Sequence, residues 1–273
     1  MERPTGVVAF RALHHDDRIL ILPNVWDAAS AALFTSAGAP AIATSSAGLA
    51  WSCGYADGDA LPRASLLQAA SSICAVVPDV PVTIDLESGY SRDTREVADL
   101  VVRLCAIGVA GINLEDGNDA PDLLAAKIVA VKEAVRRAGS DVFVNARTDV
   151  LLRELASGND AVRETISRAR QYATAGADGI FVPDLQDPEA IRAIVDAVDL
   201  PLNVLAVAGL APAAELRALG VRRLSAGSSL AKLAYGAARA AARAFLRDGD
   251  SDTLLSAPSV GYAETNALLR GVD

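Results

Sequence analysis

Eight short apolar runs, each separated from the next by a helical stretch, constrain this chain more than any other feature. They are "ILILPNVWD" (19–27), "PAIATSS" (40–46), "VPVTIDLES" (80–88), "AGINLED" (110–116), "VFVNARTD" (142–149), "DGIFVPD" (178–184), "LPLNVLA" (200–206) and "RRLSAGSS" (222–229). Between them lie stretches such as "TREVADLVVRLCAIG" and "AVRETISRARQYATAG", with apolar residues at helical spacing and a glycine just past the end. Strand followed by helix, repeated, makes the strands parallel and covers them with helices. A doubly wound open sheet would carry a glycine-rich dinucleotide turn after an early strand, and neither that pattern nor a GxxxxGK phosphate loop is present. Eight strands match a closed (β/α)8 TIM-type barrel of the α/β class. The expectation is one barrel domain over residues 1–273, with a C-terminal helical extension over about 230–273.

The formal charge of −9 argues against nucleic acid or an anionic membrane as partner, because neutralising phosphates takes an excess of clustered Lys and Arg. No uncharged apolar run approaches membrane-spanning length and "MERPTGVVAF" has no signal core, so a cytoplasmic protein is expected. Cys53, Cys74 and Cys105 are odd in number and widely spaced, which predicts buried free thiols. Only His14 and His15 exist, side by side before the first strong strand, so a Ser-His-Asp triad or a histidine-rich zinc site is disfavoured. Lys127, Lys132 and Lys232 all fall in helical stretches, which disfavours a strand-borne Schiff-base lysine.

In a barrel of this kind chemistry sits at the carboxyl ends of the strands. The polar residues there include Ser45, Ser46, Asp85, Glu87, Glu115, Arg147 and Asn203. Strand alternation puts Asp85 and Glu87 on one face, and Glu115 adds a third acid from the next strand. Anions forced together must be relieved by a proton, an arginine or a metal. Oxygen donors of this kind suit Mg2+ or Mn2+, the rival being an arginine-paired cluster. Arg147 either pairs with Glu87 or Glu115 or presents its fork to a substrate carboxylate. Ser45 and Ser46 either receive a carboxylate or enolate oxygen or cap the next segment. The interval 46–80 holds "GLAWSCGYADGDALP", a stretch that can fold over the barrel mouth. After 230, Leu233, Ala237, Ala241 and Phe245 form a stripe that either covers the chain's own strand or packs on a second subunit.

The ordered set "LPNVWDAASA", "IATSSAGLAWSCGYADGD", "TIDLESGYS", "INLEDG", "FVNARTDVLL", "AGADGIFVP" and "GVRRLSAG" resembles the isocitrate lyase and phosphoenolpyruvate mutase superfamily over roughly residues 18 to 235. The resemblance implies a Mg2+-binding barrel acting on a small 2-oxo acid, or on a di- or tricarboxylate precursor, through an enolate. Carried across, Asp85, Glu87 and Glu115 match the metal-site acids and Ser45 and Ser46 the carboxylate-holding positions. The candidate substrate set is Trp26, Ser45, Ser46, Asp85, Arg147 and Asn203, and the candidate catalytic set is Asp57, Glu87, Tyr90 and Arg147. Members tend to exchange a C-terminal helix, implying a homodimer or homotetramer. Three departures stand out. The usual Asp-x-Asp-x-Gly-Tyr-Gly is here Asp85-Leu86-Glu87-Ser88-Gly89-Tyr90-Ser91, the lyase loop with Lys-(Lys/Arg)-Cys-Gly-His is missing, and Pro183 stands where mutase-like members have His. The expected activity is a carbon–carbon lyase of the isocitrate or 2-methylisocitrate type. A phosphonate-cleaving or phosphomutase enzyme and a non-catalytic 2-oxo-acid-binding protein are the alternatives.

Overall fold

A computed structural model describes residues 6–255 and 259–269, so the first five residues and parts of the expected C-terminal extension, 256–258 and 270–273, lie outside the described residues. The strands are β1 Leu20–Leu22, β2 Asn24–Val25, β3 Ile42–Thr44, β4 Val82–Asp85, β5 Gly111–Glu115, β6 Phe143–Arg147, β7 Gly179–Val182, β8 Leu202–Leu205 and β9 Val221–Ser225. All pair in parallel, in the order β1-β9-β8-β7-β6-β5-β4-β3-β2. The run 19–27, read as one strand, is divided by Pro23, which has no N–H to give to a ladder. Its first half pairs with β9 and its second with β3, so the two halves together close a TIM-type barrel.

The helices preceding and covering the early strands are α1 Gly6–Leu13, α2 Ala28–Ser36, α3 Ser46–Ser52, α4 Arg63–Val76, α5 Thr94–Ile107 and α6 Pro121–Arg137. α7 Gly158–Ala175, α8 Pro188–Ala197 and α9 Ala213–Ala218 follow the later strands, and α10 Ser229–Asp248, α11 Ser251–Leu255 and α12 Tyr262–Leu269 form the tail. Their ends follow local chemistry. Asp93 accepts the Arg95 amide to start α5, and α5 and α7 stop at Gly108 and Gly176 in the left-handed conformation.

Strand alternation sorts the side chains into two cores. Ile84, Ile112, Val144 and Ile180 point outward to the helices and are fully buried there. Inside the barrel, Phe143 packs with Leu20, Leu22, Ala41, Ala43 and Phe10, the last supplied by α1 as a plug for the amino-terminal end. Phe10 meets Phe143 edge-on at 5.3 Å, and His14 stacks on Phe143 at 4.2 Å. Two glycines make room for this layer: a Cβ on Gly111 would sit 2.8 Å from Phe10, and one on Gly179 2.8 Å from Asn145. Truncating Phe10 to Ala would open the plug at a cost of about 3–5 kcal/mol.

The next interior layer is polar. Asn145 Nδ2 donates to Asn113 Oδ1 and to Asn203 Oδ1, at 2.9 and 3.1 Å. Arg223 shares this layer, fully buried, with Nη2 3.3 Å from Asn113 Oδ1. Burial lowers its pKa to about 9, and His14 is lowered to about 3 by burial and by the charge of Arg223. The third layer is the barrel mouth.

Cysteine placement corrects the expectation of three buried thiols. Cys53 is exposed just past α3, while Cys74 and Cys105 are half-buried and pushed up to about 11 by burial, and all three are free. Among the described residues no helix is long and apolar enough to cross a membrane.

Candidate active site

A cavity of about 150 Å³ opens at the carboxyl ends of the strands. Ser45, Ser46, Asp57, Asp85 and Arg147 all line it. Asp85 arrives as the last residue of β4, its amide held by Thr44 Oγ1 at 2.9 Å. Its Oδ1 is buried without a hydrogen-bond partner. Burial raises its pKa, opposed by the nearby charge of Arg147 and by hydrogen bonding from Ser46.

Asp85 and Glu87 do not share a strand face. β4 ends at Asp85, and Glu87 takes a left-handed φ of 50°, followed by Gly89 at 95° and Tyr90 at 59°. Alternation therefore stops before Glu87. Lys127 Nζ holds the turn at Ser88 O, 2.6 Å, and Arg63 Nη2 holds it at Tyr90 O, 2.6 Å. The Glu87 carboxylate accepts the Asp59 amide at 2.6 Å and the Tyr90 hydroxyl at 3.0 Å. Ser88 also donates to Asp59, so Glu87 and Ser88 tie down the loop 53–62 that carries Asp57 to the cavity. Burial pushes Glu87 up to about 7, with Asp59 and Asp57 adding to the rise; Tyr90 is raised, first by burial and then by Glu87, and stays a donor.

Arg147 ends β6 in a nest of acids. Nε and Nη2 reach the two oxygens of Asp149 at 2.6 and 3.1 Å, and Nη1 lies 2.7 Å from Glu115 Oε2. Of the two partners read from the sequence, Glu115 is taken and Glu87 is not; Asp149 was missed. Asp149 also accepts from Arg153 Nε at 2.9 Å, and its amide donates to Asp116 Oδ1 at 2.9 Å. Asp116 in turn accepts from Tyr172 and Arg168, at 2.6 and 3.0 Å. Burial pushes Glu115 up to about 8 despite Arg147, because Asp85, Asp149 and Glu87 add negative charge.

Two other sequence-predicted residues, Trp26 and Asn203, do not line the cavity. Trp26 packs against Phe34 and Tyr235, ring centroids 5.9 and 6.2 Å away. Asn203 is buried below the mouth, where its Nδ2 donates to Ser225 Oγ at 3.1 Å. Ser45 serves as the cap of α3, accepting the Gly48 amide at 3.2 Å, while its residue still lines the cavity. Leu152, Phe181, Pro183 and Leu205 also line the cavity, and the Arg147 guanidinium lies over the Phe181 ring, 5.7 Å from its centroid. Among the described residues no group of three His, Cys, Asp or Glu side chains is placed to hold a metal ion directly.

Known proteins resemble this chain in sequence and fold. An uncharacterized protein of Mycobacterium tuberculosis is 39% identical over 267 residues, covering 96% of each chain. The chloroplastic carboxyvinyl-carboxyphosphonate phosphorylmutase of Arabidopsis thaliana is 31% identical over 199 residues, 68% of this chain and 57% of that one. The crystal structure of 2,3-dimethylmalate lyase, a member of the same superfamily, superposes with a TM-score of 0.85 at 28% identity, covering 98% of this chain and 95% of that one. The sequence matches the family described as phosphoenolpyruvate phosphomutase over residues 10–246. With that match spanning the whole barrel, this chain belongs to the phosphoenolpyruvate phosphomutase family, within the isocitrate lyase and phosphoenolpyruvate mutase superfamily.

Proposed function

We propose that this chain is a Mg2+-dependent carbon–carbon lyase acting, through an enolate, on a small 2-oxo carboxylate or on a precursor that releases one. One observation carries the reading: the buried, unpartnered Asp85 Oδ1 shares a small cavity with Arg147, Ser45 and Ser46. The donor set fits the ion. It offers oxygen only, and negative charge gathers there, with Asp57, Asp85, Glu87 and Glu115 acting on one another and Arg147 on Asp85 and Glu115. Mg2+ keeps several waters and is content with one or two protein carboxylates. Asp85 would hold it directly, with Glu87 and Glu115 reaching it through water.

Bound there, the ion would polarise the 2-oxo group and favour negative charge on its oxygen. The rest falls to this chain's side chains. Of the five guanidinium N–H bonds, Asp149 takes two and Glu115 faces a third, leaving two for a substrate carboxylate. Asp57 faces the cavity from its loop and is placed to take or return the proton. Glu87 and Tyr90 fix that loop from behind, Glu87 by accepting the Asp59 amide and the Tyr90 hydroxyl.

A second reading rests on the connection from Glu115 to Pro121, which is too short for a lid and contains neither Cys nor His. It makes the chain a 2-oxo-acid-binding protein without turnover. Purified protein with Mg2+ would be assayed against isocitrate, 2-methylisocitrate, oxaloacetate and phosphonopyruvate. Cleavage of a carbon–carbon bond is expected. Turnover of phosphonopyruvate alone would move the assignment to the phosphonate branch, and binding without any turnover would leave the second reading.

We further propose that the chain works as a homo-oligomer in which α10 packs on a second subunit. Ala231 is the single buried residue of α10, and Leu233 and Leu246 are 70% and 83% exposed. An apolar groove of about 480 Å³, lined by Ile21, Leu22, Phe34, Leu224 and Leu230, lies open on the outer barrel wall.

A further inference from the structure

The asparagines below the barrel mouth form a chain of hydrogen bonds whose direction is fixed at both ends. At one end Asn203 Nδ2 donates to the backbone oxygens of Val204 and Arg223, at 2.8 and 3.2 Å, and a carbonyl can only accept. Asn203 therefore turns its Oδ1 to Asn145, which meets it with Nδ2 at 3.1 Å. At the other end stands the Arg223 guanidinium, fully buried, which can only donate; burial lowers its pKa to about 9, so it keeps its charge at neutral pH. Its Nη2 lies 3.3 Å from Asn113 Oδ1, and Asn145 Nδ2 reaches the same oxygen at 2.9 Å. Reversing Asn113 would set its nitrogen against two donors, and reversing Asn145 would set its oxygen against two oxygens.

With two donors on it, Asn113 Oδ1 is saturated, which leaves Nδ2 as the unused end of the amide. Among the described residues no acceptor meets that nitrogen. Asn113 lines the cavity, and its register partner on β4 is Asp85, so a donor stands on the cavity floor beside the acid that would hold the ion. Asn24, which lines the same cavity, is committed at both ends: its Nδ2 donates to Thr44 O, and its Oδ1 accepts the amides of Ala226 and Gly227, all at 2.8 Å.

We infer that Asn113 binds the substrate, its Nδ2 donating a hydrogen bond to an oxygen of the 2-oxo acid. The inference rests on the 2-oxo-acid reading above and adds a residue to its site. A donor whose direction is set before the ligand arrives needs no reorganisation to serve it, and it favours negative charge on the oxygen it meets.

Asn113→Asp tests it, because the variant keeps the oxygen that Arg223 and Asn145 hold and exchanges the donor for an acceptor. In calorimetric titration of the full-length protein at saturating Mg2+, pyruvate should bind the variant at least tenfold more weakly, while the new charge beside Arg223 holds or raises the melting temperature. Asn113→Ala, which adds no charge, should lose pyruvate affinity as well. Nuclear magnetic resonance then separates a lost contact from a structural effect: the side-chain amide signal missing from both variants belongs to Asn113, and in the unaltered protein it should shift on addition of pyruvate. If both variants bind pyruvate as tightly as the unaltered protein, or if that signal stays in place while pyruvate binds, the inference falls and the broader reading keeps the measured binding. Failure of pyruvate to bind the unaltered protein overturns both.

Discussion

Arg147 sets Nε and Nη2 against the two carboxylate oxygens of Asp149, at 2.6 and 3.1 Å, although the residues are only two apart at the end of one strand. Asp149 has no exposed side-chain surface and is itself held by Arg153 and by the amide contact to Asp116. The guanidinium plane is thus fixed before any ligand arrives, which lowers the ordering cost of binding one.

Arg147→Lys keeps the charge and loses the fork. Pyruvate affinity should drop at least tenfold, about 1.4 kcal/mol. Asp149→Asn should reduce it as well and also destabilise the fold by about 3–5 kcal/mol in urea titration, since a buried charge loses its partner. Loss of stability in both variants with affinity intact would make Arg147 an internal counter-ion only.

Asp85→Asn separates function from stability. The buried Oδ1 has no partner and the pKa is raised by burial, so the carboxylate is held at a cost in the metal-free protein. The amide variant should melt at the same temperature or higher in EDTA and lose Mg2+ binding by calorimetry. Retained Mg2+ affinity would remove Asp85 from the metal site.

Glu87 gives a pH signature. Its folded-state pKa, raised to about 7 by burial, lies above the ordinary glutamate value of 4.5. The folded protein therefore binds the extra proton between those values, and stability falls as pH rises from about 4.5 through 7. In EDTA, Glu87 should contribute about 2 kcal/mol to the drop in urea stability between pH 5 and 8, after allowing for partial solvent screening, with Glu115, raised to about 8, adding a drop of the same sign. Glu87→Gln can still accept the Asp59 amide and can donate to the Tyr90 oxygen, so the fold should persist with a flatter profile. An identical profile in the variant would place the titration elsewhere.

The barrel was legible because Val, Ile and Leu at period two, bounded by glycine-ended helices, leave few alternatives. The split at Pro23 was legible too, from a proline inside an apolar run, but the run reads as one strand if the missing N–H is ignored. Alternation failed at Glu87 for a physical reason: the strand stops at Asp85, and the left-handed backbone of Glu87, Gly89 and Tyr90 makes a turn that leaves the Glu87 carboxylate on the Asp59 amide. The Arg147–Asp149 contact was hidden by the same departure from strand geometry, just past the end of β6. Leu152, Phe181 and Leu205 come from three places in the chain and look like core residues in each, so their meeting at one cavity follows from the closed barrel rather than from any motif.

Assembly is the remaining expectation to test, and it turns on a gap in the barrel's outer wall. Ile21 lies at the centre of β1, where a covering helix would bury it, yet it is 53% exposed. Leu224 of β9 and Phe34 of α2 line the same open groove. α10 follows β9 directly and would be the helix to cover it, but Ala231 is all that it buries; Phe245 and Leu246 remain 41% and 83% exposed. Two apolar surfaces left open on one chain, a groove and a helix, would cover each other in a dimer that exchanges the helix. Apolar burial contributes about 25 cal/mol per Å², so covering both surfaces favours association strongly. Light scattering at micromolar concentration should find a dimer or tetramer for the full chain, and Leu233→Glu with Leu246→Glu should shift it to monomer without loss of the barrel's circular dichroism. A monomeric full-length chain would return α10 to an exposed tail and leave the groove without an occupant from a second copy.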